Sequence, residues 1–407
     1  MLKRDFYLNQ LRPYLGNDLI KVLVGMRRSG KSTLLAQIQQ ELLDRGIHGY
    51  NFIYFNFEQP GNSNLCSADA LYDEIRSRTQ GVMNRVSKFY LFLDELQEVA
   101  DWDRFLHSCR AAINCDIYIA SSSSTFLSAA ENAHLLGRCV VIRVYPFSFS
   151  EFLKARRMTG PSASTDTAFL DYVRDGGLPF LDRLGGDADA CTQYLQDAFY
   201  AIVMKYVVGK NRIRDAELLN EIMLYVLSNV GDACSASGLT KFFRYLNRKV
   251  SHDTAANYLQ ACVDAYLFCR VPREELPAEK IISSGEKYYI TDHGLRSAIY
   301  GQEYCDIEQT LKNIVCVELL RRGYTVTSGR VGTREIDFVA KKHSTRVYVQ
   351  VCYLLSSPDI IRRKFDVLQD IPDNFPKYVV SMDDTDLGRG GIKHKHIRDF
   401  LLMNVWY

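Results

Sequence analysis

The chain has 407 residues, of which 47% are hydrophobic and 24% charged, and its formal net charge is +2. Its length predicts about two to four domains of ordinary globular composition, and the near-zero charge excludes nucleic-acid binding through overall basicity. No apolar run approaches the roughly 18 residues of a membrane span, Met1–Phe6 lacks the apolar core of a secretory signal, and the eleven cysteines contain no C-x-x-C pair. These features point to a cytoplasmic chain with thiols in a reducing compartment and no membrane partner.

In chain order, residues 1–16 read as a short lead-in helix with Phe6, Leu8, Leu11 and Leu15 as its apolar set. Leu19–Val24 is an apolar strand, and Gly25-Met26-Arg27-Arg28-Ser29-Gly30-Lys31-Ser32 follows with the spacing G-x-x-x-x-G-K-[ST]. A strand before this loop and a helix starting at Thr33 supply the context that the phosphate-binding loop requires. Glycines let the backbone wrap tightly, and the N–H groups of the loop and helix start turn toward an anion. Gly25, Arg28, Ser29, Gly30, Lys31, Ser32 and Thr33 are therefore the candidate ATP cradle, with Lys31 on the β- and γ-phosphates and Ser32 on Mg²⁺.

Tyr50–Glu58 reads as a strand and residues 70–78 as a helix. Phe89–Leu93 is a continuous apolar run, as for a strand buried on both faces, and it ends in Asp94-Glu95. In an α/β sheet that edge carries the chemistry. Asp94 fits a Mg²⁺-binding Walker B acid, and Glu95 fits the carboxylate that orients and polarises water. Cys115–Ala120 and Cys139–Val144 complete a parallel sheet alternating with helices.

At this point the chain resembles the AAA-type ATPases. The resemblance implies a polar sensor at the end of the fourth strand, for which Ser123 is the nearest match. It also implies an arginine acting on a neighbouring subunit's γ-phosphate, for which Arg138 is the candidate, with a surface salt bridge as the plain alternative. The helical segments 148–157 and 168–180 and the Gly176-Gly177-Leu178-Pro179 break match the small lid of such ATPases.

Three short helices between 221 and 266, followed by the segments 267–272 and 287–290, suggest a winged helix. Lys241, Arg244, Arg248 and Lys249 either contact DNA phosphates or belong to a face that packs on a partner subunit. The last part carries an excess of positive charge: residues 309–407 hold 16 Lys and Arg against 11 Asp and Glu. This part resembles restriction-endonuclease-like domains, which implies that Glu318 and Asp337 stand where metal-binding acids belong. Gln350 and Cys352 replace the second acid and the lysine, with Lys341 or Lys342 as candidate migrated lysines. Arg321, Arg322, Arg330, Arg334, Lys341 and Lys342 form a candidate phosphate-binding group.

The whole pattern resembles a prokaryotic family of AAA-type ATPases with C-terminal winged-helix and restriction-endonuclease-like domains. The expected α/β architecture has a P-loop parallel-sheet core (1–150), a helical lid (151–215), a winged helix (216–300) and an α/β restriction-endonuclease-like domain (305–407). The resemblance implies ATP hydrolysis with Mg²⁺, catalysed through Lys31, Glu95 and Arg138, in a homo-oligomer working on duplex or branched DNA. The alternatives are a slow nucleotide-gated switch or scaffold for a protein partner, and an ATP-regulated nuclease.

Overall fold

The computed structural model describes residues 2–80, 88–124, 137–159, 164–211 and 213–406. By contact density they divide into two units: Met1–Tyr145 with Asp264–Tyr266, and Pro146–Val263 with Leu267–Tyr407. The expected core thus ends a few residues early, and the three expected later domains share one unit. Among the described residues no helix is long and apolar enough to cross a membrane.

The first unit opens with α1 (Asp5–Leu11), shorter than expected because Pro13 follows in a 3-10 turn. Next come β1 (Ile20–Val24), α2 (Lys31–Asp44), β2 (Phe52–Asn56), α3 (Ala68–Gln80), β3 (Phe89–Asp94), α4 (Trp102–Ala112), β4 (Cys115–Ser121) and β5 (Cys139–Arg143). The strands lie in the order β2-β3-β4-β1-β5, and every pair is parallel. β1 and β3 are buried along their whole length, which is why their sequences are apolar without alternation. Tyr7, Leu8 and Leu11 of α1 and Leu34, Leu35 and Ile38 of α2 belong to one core with Phe92, Tyr118 and Val144. Within it Lys21 and Asp116 form an ion pair with both side chains fully buried, and Asp116 also accepts from Tyr118 Oη (2.6 Å) and Gly16 N (2.8 Å).

The second unit starts with α5 (Phe149–Thr159), α6 (Thr165–Asp175) and α7 (Ala188–Ile202). Gly176 ends α6 at φ 82°, where an added Cβ would lie 2.2 Å from Asp292 Oδ1, and Gly177 N donates to Asp292 Oδ2 (2.8 Å). Both glycines are thus required by the close approach of Asp292 and Phe147. Then follow α8 (Ala216–Ser228), α9 (Ala236–Tyr245), α10 (His252–Asp264), β6 (Phe268–Glu275), β7 (Lys280–Ile290) and α11 (His293–Tyr300). Each of α8 and α9 is capped by the preceding residue, Asp215 or Ser235.

The chain ends with α12 (Ile307–Arg321), β8 (Thr325–Val331), β9 (Arg334–Lys342), β10 (Thr345–Val351), α13 (Pro358–Gln369), β11 (Lys377–Ser381), β12 (Lys393–His396) and α14 (Ile397–Leu402). These strands form a seven-stranded sheet in the order β12-β11-β10-β9-β8-β6-β7. The expected boundary near 300–305 therefore does not separate two sheets. The edge of β6 at Arg273–Glu275 pairs in parallel with Ser328–Arg330 of β8, so the hairpin expected as a wing is hydrogen-bonded into the C-terminal sheet. Buried Glu274 ties the junction, accepting from Thr327 Oγ1 (2.7 Å) and Lys341 Nζ (2.5 Å).

Candidate nucleotide site

β1 delivers the chain to Gly25, whose φ is 149° and whose added Cβ would lie 2.2 Å from the Val144 carbonyl oxygen. No side chain fits there. Arg28 and Gly30 also take positive φ, 68° and 95°, and Gly30 is the residue before α2 begins at Lys31. The loop is thereby wrapped over the helix N-terminus, whose first N–H groups and positive dipole end favour an anion. Arg4, missed by sequence reasoning, braces the loop from beneath. It is 1% exposed and donates to the Ser29 carbonyl (2.8 Å) and the Tyr145 carbonyl (2.9 Å).

Lys31 is buried, and its Nζ donates to the Gly25 carbonyl (3.0 Å), the Met26 carbonyl (3.1 Å) and Ser122 Oγ (2.7 Å). Ser122 Oγ in turn donates to Glu95 Oε1 (2.6 Å), and Ser122 N donates to Glu95 Oε2 (3.1 Å). Ser122 therefore joins the loop lysine to the glutamate that follows β3. The expected sensor, Ser123, is its neighbour, and the Ser123 backbone N–H donates to Ser121 Oγ (3.2 Å). The run of four serines was the only available signal, and it does not show which one meets Lys31.

Glu95 stands just past β3 in a left-handed conformation (φ 58°), with Lys31 Nζ 3.8 Å from Oε1. Burial alone would raise its pKa. The Lys31 charge and the hydrogen bonds from Ser122 and Gln97 overcome that and hold the carboxyl below its ordinary range. Lys31 is shifted the other way: burial lowers its pKa, against the attraction of Glu95 and Asp94. Asp94 is raised, chiefly by burial, with the Ser32 hydroxyl the foremost opposing influence. Asp94 Oδ2 accepts from Tyr54 Oη (3.1 Å) and Asn56 Nδ2 (3.2 Å), whereas buried Oδ1 lacks a well-aligned donor. A buried carboxylate oxygen without such a donor, beside a hydroxyl at the helix start, fits a hard divalent cation with oxygen ligands.

Arg138 lies elsewhere. Its carbonyl accepts from Ile20 N (2.9 Å), and Cys139 pairs with Ile20, so it sits at the start of β1 rather than at the loop end. The five residues of β1 separate it from its own loop by about 16 Å.

The acids expected in the C-terminal part do not form one centre. Glu318 is buried and accepts from Arg321 (2.7 Å at each oxygen) and from Arg322 Nε (2.6 Å). Asp337 accepts from Val351 N (2.9 Å) and Lys364 Nζ (3.2 Å), with Lys312 Nζ at 3.5 Å. The helical acid near it is Glu308, which shares both lysines. Six residues along α12 separate Lys312 from Glu318, roughly 240° of rotation, so the two face different ways. Against the cost of burial, Lys364 and Lys312 hold the Asp337 carboxyl well below the usual range. Lys364 and Lys312, not Lys341 or Lys342, are the lysines at this acid: Lys341 pairs with Glu274 and Lys342 donates to the Arg322 carbonyl (2.8 Å). Gln350 Oε1 accepts from Asp337 N (3.3 Å), and burial pushes the Cys352 thiol up to about 12. Among the described residues no group of three or more His, Cys, Asp or Glu side chains is arranged to hold a metal.

The remaining members of the expected phosphate-binding group are likewise engaged internally. Arg330 donates to the Gly332 carbonyl (2.8 Å) and Arg334 pairs with Asp370.

A parallel five-stranded sheet with a glycine loop entering a helix after β1, and a carboxylate pair at the end of β3, one strand removed from β1, defines an AAA-type P-loop domain. Residues 17–153 match the family model described as an AAA domain, and residues 166–306 match one described as a domain of unknown function, DUF8612. The chain is 31% identical over 405 residues to an uncharacterized protein of Haemophilus influenzae, covering 99% of each chain. It belongs to that protein's family, with the AAA domain in its N-terminal part. It is also 27% identical to the uncharacterized protein MJ1544 of Methanocaldococcus jannaschii, over 83% of this chain and 75% of that one. The Walker-type ATPase PABY2304 of Pyrococcus abyssi shares the fold, with a TM-score of 0.50 at 14% identity, covering 74% of this chain and 96% of that chain.

Proposed function

We propose that the chain binds and hydrolyses ATP with Mg²⁺, as a cytoplasmic homo-oligomer that works on DNA. The observation that carries this reading is the linked set Lys31–Ser122–Glu95 beside Asp94 and Ser32. When ATP enters, Lys31 exchanges the Gly25 and Met26 carbonyls for β- and γ-phosphate oxygens, and loop N–H groups take the others. Ser32 and Asp94 would hold Mg²⁺, which supplies charge neutralisation on the phosphates. Glu95, freed from Lys31, orients water, with Ser122 and Gln97 fixing its carboxylate. Arg138, remote from its own loop, acts on the nucleotide of the next subunit.

In this reading α8, α9 and α10 with the β6–β7 hairpin belong to a winged-helix module (216–300), and residues 305–407 form a restriction-endonuclease-like domain. Asp337 is engaged by Lys312 and Lys364, and neutral Gln350 stands where the second acid belongs, so in this reading the C-terminal part binds DNA without cutting it. A second reading, a slow nucleotide-gated switch, draws on Glu95 being held by three donors, because a carboxylate so engaged turns over slowly until something releases it.

The test is phosphate release from ATP and Mg²⁺ by the full chain, alone and with duplex, forked or single-stranded DNA. Turnover abolished by Lys31→Ala and stimulated by DNA in a salt-dependent way is expected. Nucleotide binding with no turnover under any condition favours the switch, and no nucleotide binding overturns both readings.

A further inference from the structure

The stretch between Asp232 and Asp253 contains Lys241, Arg244, Arg248 and Lys249 and no acidic residue. It includes α9, whose inner face is Leu239 and Phe243, 0% and 1% exposed. The outer face is unusual. Tyr245 is 85% exposed, Leu246 54% and Phe242 38%; a spacing of four sets Lys241 beside Tyr245 and Phe242 beside Leu246, and a spacing of three sets Phe242 beside Tyr245 and Lys241 beside Arg244. Phe242 is steadied by Tyr225, ring centroids 4.6 Å apart.

The four cations are not equivalent. Arg248 is committed to Glu221 (2.5 Å) and Asp215 (3.0 Å), so it fixes the turn after α9 to the start of α8. Lys241, Arg244 and Lys249 are exposed and make no ion pair among the described residues. The C-terminal cations that the sequence offered as an alternative phosphate-binding group hold internal partners, as described above.

We propose that this face of α9 and its following turn binds unpaired nucleic acid, with Tyr245 and Phe242 stacking on bases and Lys241, Arg244 and Lys249 meeting phosphates. The inference rests on the nucleic-acid part of the reading above and names its substrate feature. Three observations select this occupant. Unpaired cations without acids complement a polyanion, whereas lysine is depleted from protein interfaces. Exposed aromatic rings complement base faces, which a duplex hides and a single strand offers. Leu246 adds an apolar edge that phosphate contact alone would not need.

The experiment is fluorescence anisotropy of labelled oligothymidylate and of a labelled hairpin duplex with the full chain, across salt, beside basal ATP turnover without nucleic acid. Three phosphate contacts give single-strand binding a log–log salt slope of about −2. Tyr245→Ala is expected to weaken oligothymidylate binding about tenfold, Tyr245→Phe to restore it, and the Lys241→Glu, Arg244→Glu double variant to remove it and flatten the slope. Basal turnover stays at the wild-type value in all three, because none of these residues belongs to the ATP site. Failure of the wild type to bind oligothymidylate, or equal binding by Tyr245→Ala, overturns the proposal. Tight duplex binding indifferent to Tyr245 assigns the surface to groove contact and also overturns it, as does binding only to anionic vesicles. Absent strand binding with intact turnover leaves the ATPase reading standing. Intact strand binding without turnover leaves this one standing.

Discussion

Glu95→Gln separates binding from chemistry at the candidate nucleotide site. The glutamate carboxylate accepts from Ser122 Oγ (2.6 Å), Ser122 N (3.1 Å) and Gln97 Nε2 (2.5 Å). A glutamine can aim its carbonyl at Ser122 N and Gln97 and its amide at Ser122 Oγ, which has lone pairs for both that amide and Lys31. The Ser122 hydroxyl proton then loses its acceptor, at a cost of about 1 kcal/mol in stability. ATP affinity should change little, because the carboxylate lost is one that competes with phosphate for Lys31. Hydrolysis loses the group that orients and deprotonates water, so turnover should fall at least ~100-fold, or about 2.7 kcal/mol on the barrier. Fluorescent-nucleotide titration and phosphate release measure the two separately. Wild-type turnover in Glu95→Gln would refute the assignment of Glu95, whatever the affinity.

Three further outcomes follow from the geometry. Mixing Arg138→Ala with Lys31→Ala protein should restore part of the turnover each lacks, since a trans arginine contributes ~10³-fold or more; additive inactivity at every mixing ratio counts against a trans role. Supercoiled and branched DNA should survive incubation with the wild type in Mg²⁺ and in Mn²⁺, and cleavage that vanishes in Asp337→Ala would reverse that reading. Asp337→Asn leaves buried Lys364 and half-buried Lys312 with Glu308 as their one shared carboxylate and should lower stability by about 3 kcal/mol at neutral pH. Because the folded carboxyl is held below its unfolded value, that stabilisation is complete above about pH 4 and is lost as pH falls below it. Urea unfolding of wild type and variant should therefore converge in acid, and a gap that stays constant from pH 7 to pH 3 would argue against the ion-pair origin.

Features that rest on local geometry are legible in the amino-acid sequence. Gly25 and Gly30 mark a loop whose backbone leaves no alternative residue type, and the apolar run ending in Asp94-Glu95 marks a buried strand whose acids emerge at the sheet edge. Both are properties of a few consecutive residues, and both were legible. The partner of each charged side chain was not. Lys31 meets Ser122 across 91 positions, and Arg4 reaches Tyr145 across 141. No local signal selects Ser122 from a run of four serines or marks Arg4 as a brace. The same holds in the second unit, where the helix acid near Asp337 is Glu308 rather than Glu318 and its lysines come from α12 and α13. The hairpin expected as a separate wing joined the C-terminal sheet because β6 had an open edge and β8 filled it. Which buried charge faces which, and which strand edge is filled, follow from packing that brings distant segments together in a medium where an unpaired polar group is costly. Only the folded chain fixes that pairing.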